Sequence, residues 1–206
     1  MRDRIRDVLV GRILDGTYPA GTQLKELTLA REFNVSQTPI REALRELEGS
    51  GLVTSERFRG TRVRGADSAE MRESYELRMM LEVRSVRLAA PYSEELLADL
   101  ESYMLEMETA VQAEDSERYI DNALRFHRRL VEGSGNRTFL SVWDSLLWDV
   151  RGRIALRRLT ERGRSLGSLA GAHRELIAQL RAQNVEAAAE HIGAILARVT
   201  SAFEPA

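Results

Sequence analysis

Two groups of residues in this chain have types and spacings that can do chemistry. The first lies in VSQTPIREALREL, residues 35–47. If that stretch is a helix, Ile40, Ala43, Leu44 and Leu47 form one apolar face at i, i+3, i+4, i+7 spacing, and Gln37, Thr38, Arg41 and Arg45 lie opposite. An arginine can grip guanine O6 and N7 with two hydrogen bonds. Glutamine can do the same for adenine, and threonine can hold a phosphate or touch a thymine methyl. The free N–H groups at a helix start, beside Ser36, also favour phosphate. Downstream, Arg57, Arg59 and Arg62 surround Gly60 in SERFRGTRV, an arginine-tipped turn suited to a minor groove or a phosphate backbone. Taken alone, Arg41 and Arg45 read as a solvated face, since Glu42 and Glu46 offer weak surface pairing. The arginine-tipped turn beside the helix favours DNA.

The second group is His127, His173 and His191, which are all the histidines of the chain. A zinc-type site needs at least three converging ligands, so the three together are a candidate for zinc, nickel or manganese. A metal-free pocket holding an anion through histidine and arginine is the other reading. Arg78, in YELRMMLE, is the arginine concerned. Turned inward in an apolar stretch, it needs a carboxylate, either Glu82 at i+4 or a ligand. Trp143 and Trp148 read as core bulk rather than a stacking box. Nucleophile, metalloprotease and phosphate-loop motifs are absent, and with no cysteine thiol catalysis and Cys-ligated zinc are excluded.

The elements that must position these residues follow from periodicity. Ile5, Val8, Leu9 and Ile13 predict a helix over 2–14. Leu24, Leu27, Ala30 and Phe33 predict a short second one, with Asn34 as a left-handed cap. Ser36 or Thr38 and Pro39 open the third, and Gly49 and Gly51 stop it. Residues 52–54 and 61–63 read as two short strands around Gly60. Three helices and a hairpin make a winged helix-turn-helix over 1–65, and 66–69 read as a linker. The rest, 70–206, reads as an antiparallel all-α bundle of six or so helices: 70–89, from Ser93 to about Ala113, from Asp115 or Ser116 to Glu132, 137–158, 169–182 and 185–203.

Composition agrees. Of 206 residues, 43% are hydrophobic and 30% charged, with a net charge of −2. Residues 1–64 carry twelve Lys and Arg against nine Asp and Glu, whereas the remainder is acidic. A basic head on an acidic body fits a head that meets an anionic partner. No apolar run spans a bilayer and no signal peptide leads the chain, so the cytoplasm is the expected location.

The pattern LAREFNVSQTPIREALRELEGSGLV, with RGTRV after it, closely resembles the DNA-binding domain of the GntR family of bacterial transcription regulators. That resemblance implies that Gln37, Thr38 and Arg41 face operator DNA and that Gly60 lies in the minor groove. Gln37 and Leu27 stand where that family often has arginines, which implies an altered operator. YELRMMLEVRSVRLAA (75–90), RFHRRLVEGSGN (125–136) and AHRELIAQLRAQNVEAAAEHI (172–192) resemble the FCD effector domain of the FadR-like branch. Such domains hold a small organic acid, often beside a metal bound by an aspartate and three histidines. His127 and His173 match two of those ligands. Ala123 replaces the aspartate, Ile195 falls at the last histidine, and His191 is one turn earlier.

The expected function is a ligand-responsive regulator, a repressor that binds palindromic double-stranded operator DNA as a homodimer. Ser36, Gln37, Thr38, Arg41, Arg45, Arg59, Gly60, Thr61 and Arg62 contact DNA, and Arg78, His127, His173 and His191 contact the effector. Two rival readings are a helical metal-dependent enzyme using the three histidines and a protein-binding winged-helix adaptor.

Overall fold

A computed structural model describes residues 1–14, 16–49, 51–56, 60–64, 68–146 and 148–204. The chain divides into two compact units, Met1–Asp67 and Ser68–Ala206.

In the first unit, α1 (Arg2–Leu14), α2 (Glu26–Glu32) and α3 (Gln37–Gly49) pack with a three-stranded antiparallel sheet. Its strands are β1 (Gln23–Leu24), β2 (Val53–Glu56) and β3 (Gly60–Val63), in the order β1-β3-β2. Ile40, Ala43, Leu44 and Leu47 of α3 are all buried, with Ile5 and Leu9 of α1 and Leu29 and Ala30 of α2. Each large aliphatic side chain buried there contributes roughly 1.5–3 kcal/mol. Asn34, in left-handed conformation (φ 52°), turns α2 into α3, and Val35 N–H closes that turn on Ala30 C=O at 2.9 Å. Gly51 (φ 72°) does the same after α3. Its N–H bonds Glu48 C=O, and Leu52 N–H bonds Leu47 C=O at 3.0 Å, so orphan carbonyls of the last turn are satisfied.

Two expectations for this unit need correction. Leu24 is in a strand, not in α2. It pairs with Thr61 across β3 and is buried. Leu27, assigned to the apolar face of α2, is half exposed, and Leu29 and Ala30 are buried instead.

The second unit contains α4 (Ser68–Ala89), α5 (Glu94–Gln112), α6 (Ser116–Gly133), α7 (Arg137–Ser145), α8 (Trp148–Glu161), α9 (Leu166–Arg181) and α10 (Val185–Thr200), then a 3₁₀ turn at Ser201–Phe203. Its helix ends follow local chemistry. Ser93, Asp115, Asn136 and Ser165 each accept a backbone N–H of the helix they precede, a contribution of typically ~1 kcal/mol each. Glu114, Gly135, Gly163 and Gln183 take left-handed conformations after α5, α6, α8 and α9. The predicted helix over 137–158 is two helices. It breaks at Leu146, and Leu147 lies outside the described residues. Capped by Ser165, α9 starts at Leu166, three residues before the expected Leu169. No helix among the described residues is long and apolar enough to cross a membrane.

α6 packs closely against α5. A Cβ added at Gly133 would lie 2.8 Å from Leu96 Cδ2, so Gly133 permits the close approach that seats α6 and its histidine. α4, α6 and α9 then bring one buried stripe each to a common interior, with α7 and α8 at its side.

Candidate functional site

The outward face of α3 is the first candidate site. α3 begins at Gln37, which places Ser36 at the helix-cap position and Pro39 in the first turn, where backbone N–H groups have no helical partner. Ser36, Gln37, Thr38, Arg41 and Arg45 are all exposed. Arg45 has no ion-pair partner among the described residues. Arg41 holds Glu26, at the start of α2, through both carboxylate oxygens: Nε to Oε1 at 3.1 Å and Nη2 to Oε2 at 2.8 Å. This pair joins the two helices of the helix-turn-helix. At this exposure it adds little to stability, so it orients Arg41 more than it stabilises the fold.

β3 supplies the other expected contacts. Gly60 has φ +77°, a conformation that side chains rarely adopt, and an added Cβ would meet Gln23 Nε2 at 3.3 Å. Thr61 and Ser55 hydroxyls share a 3.0 Å hydrogen bond across the hairpin. Exposed Arg62 donates to Gly21 C=O at 3.1 Å. Arg57 and Arg59 lie outside the described residues.

The second candidate site is buried in the second unit. Arg78 and Glu82, one turn apart on α4, are 3% and 0% exposed. Arg78 Nε donates to Glu82 Oε1 at 2.6 Å, and the Trp143 indole reaches the same oxygen at 3.4 Å. The Arg78 guanidinium lies 4.6 Å from the centre of the Trp148 ring and 5.5 Å from that of Tyr75, a cation–π stack in dry surroundings. His127 Nδ1, from α6, is 2.6 Å from Glu82 Oε2. His127 Nε2 in turn faces Nε2 of His173, from α9, at 3.4 Å, and His173 Nδ1 lies 2.7 Å from Leu169 C=O. The chain of contacts runs Arg78, Glu82, His127, His173, Leu169.

Its electrostatics follow from burial. Desolvation alone would raise the Glu82 carboxyl, but His127 and Arg78 outweigh it and hold the group well below the usual carboxylate range. Desolvation pushes His127 down, against the pull of Glu82. Desolvation, reinforced by His127, pushes His173 down to about 3. Both rings are therefore neutral at physiological pH. A proton on His173 Nδ1 goes to the Leu169 carbonyl and one on His127 Nδ1 goes to Glu82. A cavity adjoins the pair, lined by Tyr119, Ala123, Leu156 and Ile195 among others.

The sequence-based set is only partly assembled. Arg78, His127 and His173 come together. His191 does not. Its Nδ1 bonds Ala187 C=O at 2.8 Å, and its Nε2 faces Glu175 at 3.8 Å on a part-exposed side of α10. α10 buries Ala188, Ile192, Ile195 and Val199, and His191 falls off that stripe. The proposed three-histidine metal site is not formed. Ala123 and Ile195 put buried aliphatic carbon where two ligands would stand, and both Glu82 oxygens already serve Arg78 and His127. Among the described residues no three His, Cys, Asp or Glu converge to hold a metal. This donor set does not fit the metal that the resemblance implies. Tyr119, which the sequence did not single out, is also part of this site. Tyr119, Ala123 and His127 lie at i, i+4, i+8 on one face of α6, which is the only sequence signal that could have found it.

A winged helix-turn-helix with a polar, basic outer face, joined to a helical body with a buried polar cluster, defines a DNA-binding regulator with a sensing domain. Comparison with known proteins gives the family. Residues 1–63 match the model of the bacterial regulatory proteins of the gntR family and residues 73–198 match the FCD domain; the chain belongs to this family. It is 31% identical over 192 residues to a protein of Paenarthrobacter nicotinovorans named "Probable D-xylose utilization operon transcriptional repressor", covering 91% of this chain and 81% of that one. It is also 31% identical to the gluconate operon transcriptional repressor of Bacillus subtilis, over 66% of this chain and 56% of that protein. The solved structure of a GntR transcriptional regulator from Rhodococcus sp. RHA1 shares the fold, with a TM-score of 0.80, 23% identity, and coverage of 98% and 96% of the two chains. The protein is a transcription regulator, not an enzyme.

Proposed function

We propose that the protein is a homodimeric repressor that binds a palindromic operator and is modulated by a small molecule held in its second unit. The observation that carries this reading is the two-sidedness of α3. Its apolar residues are fully buried, while Ser36, Gln37, Thr38, Arg41 and Arg45 all face out. In this reading α3 enters the major groove, with Arg45 free to meet a guanine or a phosphate and Arg41 preset by Glu26. Gly60, Thr61 and Arg62, with Arg59, meet the flanking backbone or minor groove. One head makes few base contacts, so two heads about 34 Å apart read the two halves of a palindrome. The names of the relatives, repressors of operons for sugar or sugar-acid use, support repression. A ligand modulates binding if it has unequal affinity for two arrangements of the heads.

The test is binding of the purified protein to DNA from upstream of its own coding sequence, across a salt series. Affinity should fall steeply as salt rises, and Arg45→Ala should weaken it by about 1–3 kcal/mol if Arg45 reads a guanine. A salt-insensitive affinity, indifferent to Arg45→Ala, would instead fit a protein-binding adaptor.

A further inference from the structure

Between Glu73 and Arg87 the exposed residues of α4 are Glu73, Glu76, Leu77, Met80, Arg84 and Arg87. At about 3.6 residues per turn they fall within roughly 100° of arc, one stripe along the helix. The order along it is acid, acid, Leu, Met, Arg, Arg. Met80, at its centre, is 65% exposed, and Leu77 beside it is 37% exposed. A methionine this open contributes little to the core of its own chain, and its flexible thioether fits readily against a second surface. Turned end for end, the stripe matches itself. When two copies of α4 lie antiparallel, residues equally far on either side of Met80 face each other. Glu73 then meets Arg87, Glu76 meets Arg84, Leu77 meets the half-buried Val83, and Met80 meets Met80. A parallel pairing would set Glu on Glu and Arg on Arg.

We infer that α4 packs antiparallel on α4 of a second copy of this chain, about a two-fold axis through Met80. Such a contact is isologous, so each ion pair across it occurs twice. Arg87 already holds Glu186 of α10, with Nη2 2.7 Å from Oε2, and Glu73 of the second copy joins that pair rather than replacing it. Glu76 and Arg84 have no ion-pair partner among the described residues, so their mutual contact sets the register. α10 widens the surface. A Cβ added at Gly193 would meet Val83 Cγ2 at 3.8 Å, which places α10 alongside the stripe. Ala194 and Ala197 of α10 are exposed and small enough for a second copy to come close. Width matters, because a stable interface covers about 800 Å² on each partner, more than one helix stripe supplies. This inference rests on the homodimer reading and adds to it the face and the register.

The test is the dimer dissociation constant of the full-length chain, measured by sedimentation equilibrium. Met80→Glu sets two carboxylates together on the axis and should raise the constant at least about tenfold. Glu76→Arg and Arg84→Glu, each alone, put like charges opposite each other twice over, and each should raise it roughly fivefold or more. The double variant carrying both changes restores opposite charges and should return to within about twofold of wild type. An equal mixture of the two single variants should form a heterodimer as tight as the wild-type dimer. These side chains are exposed, so helix content by circular dichroism should stay the same in every variant. A wild-type chain that stays monomeric at micromolar concentration would remove the homodimer reading and this contact together. A stable dimer indifferent to Met80→Glu, or one weakened by the single charge changes without rescue in the double variant, would overturn this face alone and leave the homodimer standing.

Discussion

Arg41 and Arg78 each hold a glutamate, one in the DNA-reading unit and one in the helical body. The Arg41–Glu26 pair is bidentate yet exposed, with side chains 54% and 32% accessible, whereas Arg78 and Glu82 are 3% and 0% accessible. In water the first pair is cheap to break, so Arg41 can exchange Glu26 for a base or a phosphate. The second pair cannot be broken so lightly. Removing one partner from a buried pair leaves a desolvated charge, which costs more than the pair itself contributes. One pairing chemistry thus serves a reversible contact in one unit and a fixed polar core in the other, and the difference lies in access to solvent.

The contrast can be broken most directly at Glu82. Glu82→Ala should destabilise the fold by about 3–5 kcal/mol, read by urea unfolding, and Arg78→Met combined with Glu82→Leu should recover much of that loss. A small effect of Glu82→Ala would show that water reaches the pair and that the contrast is false. Acid should act on the same core. The depressed histidines contribute stability that is fully present above their unfolded value of about 6.5 and is lost as pH falls towards the folded values, because the unfolded chain then binds more protons. The slope should reach about 1.4 kcal/mol per pH unit for each buried histidine, and His173→Leu should flatten it. Glu82, depressed from 4.5, adds loss only below that value. The smallest expected effect is at the exposed pair. Glu26→Gln should leave the unfolding midpoint in urea almost unchanged. It should lower the ratio of specific to non-specific DNA affinity, measured by competition, because Arg41 loses its preset orientation and DNA loses a repelling carboxylate.

How much of this the sequence held depends on whether the cause was local. The face of α3 was legible because four apolar residues sit at helical spacing and each is in fact buried. The caps at Ser93 and Asp115 were legible for the same reason. β1 was not, because two residues become a strand only by pairing with Arg62 and Thr61 far along the chain. The break between α7 and α8 has no Gly or Pro to announce it. Leu146, Leu147 and Trp148 extend the apolar pattern straight across it. At the buried site, Arg78–Glu82 and the Ala123–His127 spacing could be read along single helices. The displacement of His191 and the second role of Glu82 depend on what neighbouring helices present, which periodicity does not encode.

The chain has two tryptophans, and both pack around the guanidinium of Arg78, with ring centres 5.8 and 4.6 Å away. Its intrinsic fluorescence therefore originates beside the buried ion pair. A molecule that perturbs Arg78 should change emission colour or intensity in unlabelled protein, so occupancy can be followed by light at the dilutions used for DNA titrations.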